Sequence, residues 1–233
     1  KIYCEARYGG YPDAMEEAWK LFRKTAYSSL YSYPRFTWQT VIPDQRRISK
    51  IDLSDDYLQA IRLYASCADE LKSSELYRND LIEFVSYYVA AKAENFYKQA
   101  LKDDSENRVL AAQRNLQQTV DLLIDVDRLL ASHPLYRLEE WVELARNSGT
   151  TLQEKDAYEA NAKRLITSWG GIQEDYAARF WSGLIKDYYI PRIQLYFTKD
   201  RNKIREWEEQ WITSPWSNST TPFDDPVKAA LGL

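Results

Sequence analysis

Reactive side chains are scarce in this chain. His133 is its single histidine, placed directly before Pro134 at an expected helix end. Histidine-rich metal sites and a Ser–His–Asp triad with a base to spare are thereby nearly excluded. His133 itself reads as a solvated or capping side chain. Cys4 and Cys67 are too few for a disulfide framework, and no GxGxxG or Walker-type loop cradles a phosphate. Neither a metal nor a cofactor is expected. Carboxylates are the plentiful reactive type, and two acids brought together can do general acid–base work. Adjacent acids occur at Asp55 and Asp56, Asp103 and Asp104, Glu139 and Glu140, Glu174 and Asp175, Glu208 and Glu209, and Asp224 and Asp225. Neighbours on a helix point about 100° apart, and most of these pairs lie at helix starts, where acids favour the dipole. They read as solvated faces and caps, except Glu174 and Asp175, which lie between Trp169 and Tyr176. Asn218-Ser219-Thr220 fits the N-glycosylation pattern, which has force only in a eukaryotic secretory pathway.

The composition narrows the scaffold. Hydrophobic residues make up 45% of the 233, enough for a sizeable core, while 7 Gly and 8 Pro are too few for the turns of an all-β fold. The 31 basic and 35 acidic side chains leave a net charge of −4, which provides no electrostatic footprint for nucleic acid. No apolar run is long enough to span a bilayer. Aromatics supply 14% of the chain. Tyr and Trp pair an apolar body with a polar tip, which suits cores, domain interfaces and sugar-binding surfaces alike.

The elements follow from apolar spacing. Pro12 and Asp13 open a helix carrying Met15, Ala18, Trp19 and Phe22. Residues 32–53, with Pro34 and Pro43, read as a long connection. Ser54 starts a helix with Leu58, Ile61, Ala65, Ala68 and Leu71. A long helix over 74–101 is punctuated by Asp103-Asp104-Ser105. A second runs to about 132 with Val109, Leu116, Val120, Leu123 and Leu130 inward; two such helices joined by a short turn pack antiparallel. A helix with Leu138 and Trp141 stops at Gly149. Thr151 opens the next with Glu154 at capping-box spacing, predicted to run to Trp169 and halt at Gly170-Gly171. Asp175 begins another, which Pro191 must kink or end. A last helix carries Ile204, Trp207 and Trp211, and the tail after Ser214 reads as irregular. The pattern predicts an all-α domain over 1–233: a junction helix and connection (1–53), a helical body (54–213) and a tail (214–233). No signal peptide is visible, and the chain opens as if within a helix, so it reads as a piece of a longer protein.

Five stretches in order resemble one family. ARYGGYPDAMEEAWKLFRKTAYSS, SELYRNDLIEF, LLIDVDRLLASHPLYRLEEWVELAR, KDAYEANAKRLITSWGG and DYAARFWSGLIKDYYIPRIQLYF are similar to the C-terminal helical domain of α-N-acetylglucosaminidases, glycoside hydrolase family 89. The resemblance implies antiparallel helix pairs packed beside a (β/α)8 barrel of the same polypeptide. It implies a retaining enzyme that releases terminal α-linked N-acetylglucosamine from glycans, with both catalytic Glu on the barrel and none in this chain. The chain alone is then inactive. The location implied is secreted or periplasmic in a bacterium and lysosomal in an animal. The family's helical domain closes one side of the barrel mouth. The matching region places Trp169, Tyr176, Glu174 and Asp175 at the sugar, with a loop between Trp169 and Tyr176 shorter than in the animal enzymes. An indole offers its face to the C–H face of a pyranose, while carboxylates accept from its hydroxyls. Trp181, Tyr188, Tyr189 and Tyr196 are expected to face the barrel. The alternative is a free-standing helical module that binds a protein or glycan without catalysis.

Overall fold

The computed structural model describes residues 1–28, 36–40, 54–169 and 175–233. Among them run eleven α-helices and no strand; the one bridge joins Arg137 to Ser182. The helices are α1 (Ile2–Tyr8), α2 (Ala14–Lys24), α3 (Asp55–Ala65), α4 (Ala68–Leu71), α5 (Glu75–Ser105), α6 (Val109–Leu130), α7 (Leu138–Asn147), α8 (Leu152–Leu165), α9 (Ile190–Tyr196), α10 (Arg201–Thr213) and α11 (Pro226–Gly232).

Local signals explain several boundaries. The Ser54 hydroxyl accepts the Tyr57 N–H at 3.3 Å and caps α3. At α8 the capping box forms in full: Thr151 Oγ1 accepts the Glu154 N–H at 3.2 Å, and Glu154 Oε2 accepts the Thr151 N–H at 3.1 Å. The Thr150 hydroxyl and N–H bind the same oxygen, which pulls the Glu154 carboxyl down to about 2.

Helices α5 and α6 form the antiparallel pair. Asp103, Asp104 and Ser105 do not punctuate α5 but lie inside it; the break falls at Asn107, in the left-handed region at φ 58°. The Asp103 carboxylate turns inward and accepts from Gln99 (2.9 Å), Arg108 Nε (2.9 Å) and Asn115 (2.7 Å). It thereby clamps the turn, and the Arg108 bond above all holds its carboxyl below the ordinary range. Val109, expected inward, is exposed in the first turn of α6, whereas Val120, Leu123 and Leu130 are buried.

An aromatic core joins α1, α2, α3 and α5. Tyr64 and Tyr77 stack at 4.7 Å, and each donates its hydroxyl to the other's carbonyl. Phe22 stacks on Phe84 at 4.2 Å. Each buried ring removes on the order of 150–250 Å² from water, so such pairs dominate the energetics. The long connection contains a buried 3-10 turn, Thr37–Gln39, with Phe36 stacked on Trp38 at 4.9 Å. The Thr37 N–H and hydroxyl donate to Glu94, which also pairs with Lys98 at 3.1 Å. The rest of that connection lies outside the described residues.

Five expectations need correction. Helix α8 ends at Leu165 rather than Trp169. Asp175 lies in a turn, and helical structure resumes only at Leu184. From there a π-helical turn, Ile185–Tyr189, runs straight into α9, so Pro191 does not end the helix. The change from wide to ordinary spacing falls just before Pro191, and its missing N–H is absorbed there. The tail is not wholly irregular: Asp225 caps α11 through the Lys228 N–H, Pro226 sits in its first turn, and Val227 and Ala230 are buried. Of the two readings of His133, solvated or capping, the solvated one fails, because the side chain is buried and bonds backbone. Its Nδ1 accepts the Leu135 N–H at 3.1 Å, and burial lowers its pKa.

Candidate functional site

The Lys163–Asp175 region is built on strained backbone. After α8, Thr167 donates its hydroxyl to the Lys163 carbonyl at 2.7 Å. Trp169 then adopts φ 53° and returns its N–H to Arg164 O at 2.8 Å. Asp175 adopts φ 60° and donates its N–H to Thr167 O at 3.0 Å. Bulky or branched-polar residues in the left-handed region cost about 1–3 kcal/mol, and such strain clusters at functional sites. Between these two residues, 170–174, and hence Glu174 and both glycines, lie outside the described residues.

The two aromatic candidates meet. The Trp169 and Tyr176 rings contact edge to face at 5.3 Å and 70°. Tyr176 is 63% exposed and Trp169 partly so, which leaves an aromatic edge at the surface. Tyr158 is exposed as well, whereas Ala162 and Ile166 on the same side are buried.

Asp175 takes a different position from its neighbours. It is 3% exposed, and its carboxylate turns inward to Arg192, whose Nη1 donates to Asp175 Oδ1 at 2.7 Å. The same Nη1 donates to Glu208 Oε1 at 3.0 Å, and Nη2 donates to the Gln39 carbonyl at 2.7 Å. Tyr188 donates its hydroxyl to Glu208 at 2.7 Å and lies under the guanidinium at 4.7 Å. Burial alone favours a neutral Arg192, but Asp175, Tyr188 and Glu208 outweigh it and push its pKa well up. Burial likewise pushes the Tyr188 hydroxyl up. Asp175 and Glu208 accept from one nitrogen of Arg192. Both are buried and locked to Arg192, which leaves no face for a sugar. The pair is a structural clamp.

The sequence reading did not pick out Arg192, Asp127, Lys163 or Glu159. Each carried a signal: a charged residue at a position where the helical period demands an apolar one. Lys163 is buried, paired with Glu159 at 3.2 Å, and donates to the Trp211 carbonyl at 2.9 Å. The expected partner face is reduced. Tyr188 and Tyr189 are fully buried, and only Trp181 and Tyr196 keep partial exposure. A more open aromatic groove of about 620 Å³ lies beside α1 and α2, lined by Tyr3, Tyr11, Trp19 and Tyr27 with Lys1, Lys20 and Arg23. A smaller one of about 210 Å³ is lined by Arg137, Glu139, Trp216, Asn218 and Thr220. In the glycosylation pattern Asn218 is exposed, while the Thr220 hydroxyl is buried against Asp127 at 2.5 Å. No helix among the described residues is long and apolar enough to cross a membrane.

Comparison with known proteins assigns the lineage. Residues 1–233 match the family described as the alpha-N-acetylglucosaminidase (NAGLU) C-terminal domain. The human protein named alpha-N-acetylglucosaminidase is 29% identical over 210 residues, covering 83% of this chain and 27% of its own length. A family 89 glycoside hydrolase from Clostridium perfringens, solved in complex with PUGNAc, superposes with a TM-score of 0.83 at 22% identity. It covers 98% of this chain, which in turn spans 30% of that one. The same fold, at a TM-score of 0.83 and 22% identity, recurs in a Glu-to-Gln substituted form from that organism, in complex with its substrate GlcNAc-α-1,4-galactose; coverage is again 98% of this chain and 30% of that one. The chain belongs to the alpha-N-acetylglucosaminidase C-terminal domain family of glycoside hydrolase family 89.

Proposed function

We propose that this chain completes the sugar pocket of an α-N-acetylglucosaminidase, a retaining glycosidase that releases terminal α-linked N-acetylglucosamine from glycans. The catalytic carboxylates belong to a (β/α)8 barrel of the same polypeptide, and this domain packs on that barrel. The observation that carries the reading is the surface edge of Trp169 and Tyr176, held on left-handed backbone at a helix end. An apolar ring edge beside a polar loop is the chemistry that receives a pyranose: the ring covers its C–H face while hydroxyls find polar partners. Glu174, which lies outside the described residues, is the other carboxylate proposed for the sugar. Asp175 serves from beneath, because its carboxylate is committed to Arg192.

The test is Trp169→Ala in the full-length enzyme. Loss of ring contact in the transition state lowers kcat/KM roughly tenfold or more, about 1.4 kcal/mol, with little change in Tm because the ring is partly exposed. Unchanged kinetics, or a loss that tracks unfolding, returns Trp169 to a packing role.

A further inference from the structure

Arg192 joins three segments that are far apart in sequence. Its guanidinium touches the Asp175 carboxylate, the Gln39 carbonyl and the Glu208 carboxylate at 2.7, 2.7 and 3.0 Å. The turn carrying Gln39 follows the Phe36–Trp38 stack, and the Gln39 side chain donates to the Arg179 carbonyl at 3.3 Å. Asp175 immediately precedes Tyr176, and its N–H is held by Thr167, two residues before Trp169. Glu208 lies on α10. The backbone on either side of the aromatic edge is therefore tied to one buried cation.

A fully buried arginine is costly to desolvate, and burying it with two carboxylates brings little net stability compared with apolar packing. What such a group offers is geometry. The planar fork with fixed donor directions sets its acceptors within a few tenths of an ångström, which a lysine cannot do. Asp175 accepts at φ 60°, a conformation that persists only when its surroundings over-determine it. The Arg192 bond supplies that determination on one side and the Thr167 carbonyl on the other.

We propose that Arg192 is a positioning residue for the sugar pocket: through Asp175 it sets the Trp169–Tyr176 edge, and through the Gln39 carbonyl it ties the 36–40 turn to the same platform. This rests on the pocket reading above. Neither Arg192 nor Asp175 touches substrate; both act through the rings.

The experiment is a double-mutant cycle in the full-length enzyme with Asp175→Asn, Trp169→Ala and the pair combined. Asp175→Asn keeps size and shape but weakens the charged bond. It lowers kcat/KM roughly tenfold, mainly through kcat if the ring is misplaced only at the transition state. With Trp169 already removed, Asp175→Asn costs little more, because its effect runs through a ring that is gone. Arg192→Lys, which keeps the charge and loses the fork, shows the same non-additivity. Losses that multiply independently, or an Asp175→Asn enzyme with unchanged kcat/KM, overturn the positioning role and leave the pocket reading standing. Unchanged kinetics for Trp169→Ala alone overturn the pocket reading, and this proposal falls with it.

Discussion

At the residue scale, Asp127 shows how a polar side chain can organise an apolar interior. It lies on the inward face of α6 beside Leu123, Val126 and Leu130, all buried. Its partners among the described residues are donors from two distant segments: the N–H groups of Gly183 (2.8 Å) and Lys186 (3.1 Å), and the hydroxyls of Thr220 (2.5 Å) and Ser182 (3.4 Å). Burial pushes its carboxyl from 3.8 up to about 6, and the donors oppose the rise without cancelling it. The unfolded carboxylate titrates near 3.8, so between there and about 6 the folded protein holds a proton that the unfolded chain has lost. Stability from this group is therefore full at the acid end and falls as pH rises through that window. Asp127→Asn is expected to remove this slope. Compared with the variant, the native chain should lose about 1–3 kcal/mol across the window, measured by denaturant unfolding at several pH values. Parallel curves for the two proteins would show that Asp127 does not titrate there.

At the element scale, the segment from Gly183 to Tyr196 depends on one backbone position. Gly183 has φ 82°, and its N–H is the first donor onto Asp127. A Cβ built there would lie 3.2 Å from the Trp216 ring and 3.3 Å from Leu138 Cβ. Gly183→Ala thus combines left-handed strain with a tight contact on two sides. A loss of about 1–2 kcal/mol from the backbone alone is expected, with more if Trp216 cannot retreat, read from the midpoint of chemical unfolding. An unchanged midpoint would mean that the turn relaxes to another conformation. The helix that follows also shows why Pro191 does not end it. Proline is forbidden in a helix interior because of its missing donor and its clash with the preceding turn, yet a π-helical turn directly before it accommodates both.

At the scale of the whole molecule, the chain spans 27% of the human relative and 30% of the bacterial one. Retaining glycoside hydrolysis needs two accessible carboxyl groups flanking the bond. Among the described residues, the buried carboxylates Asp175 and Glu208 share a partner and are neutralised by Arg192. Purified alone, the chain is expected not to turn over a chromogenic α-N-acetylglucosaminide. Activity that survives purification and disappears on Glu208→Gln would overturn this and make the clamp a catalytic pair.

What the sequence by itself determined is what depends on neighbours along the chain. The helical class follows from 3.6-residue spacing, and the Ser54 cap and the Thr151–Glu154 box follow from side chains that reach their own backbone a turn away. The antiparallel pairing of α5 and α6 follows from a short turn between two long apolar stripes. Trp169 and Tyr176 are near in sequence and were picked out together, but their ring contact is seen only in the structure. The tertiary structure decided everything that rests on partners far away. Asp175, expected at the sugar, turns its carboxylate inward to Arg192, seventeen residues on. Tyr188 and Tyr189 were read as a partner face and are buried beneath α10 and the 36–40 turn. Periodicity tells which side of a helix is apolar, but not whether a strongly polar side chain on that side will find a compensating charge. That requires knowing which distant segment arrives opposite it, and only the packed chain brings Gln39, Asp175 and Glu208 to a single guanidinium.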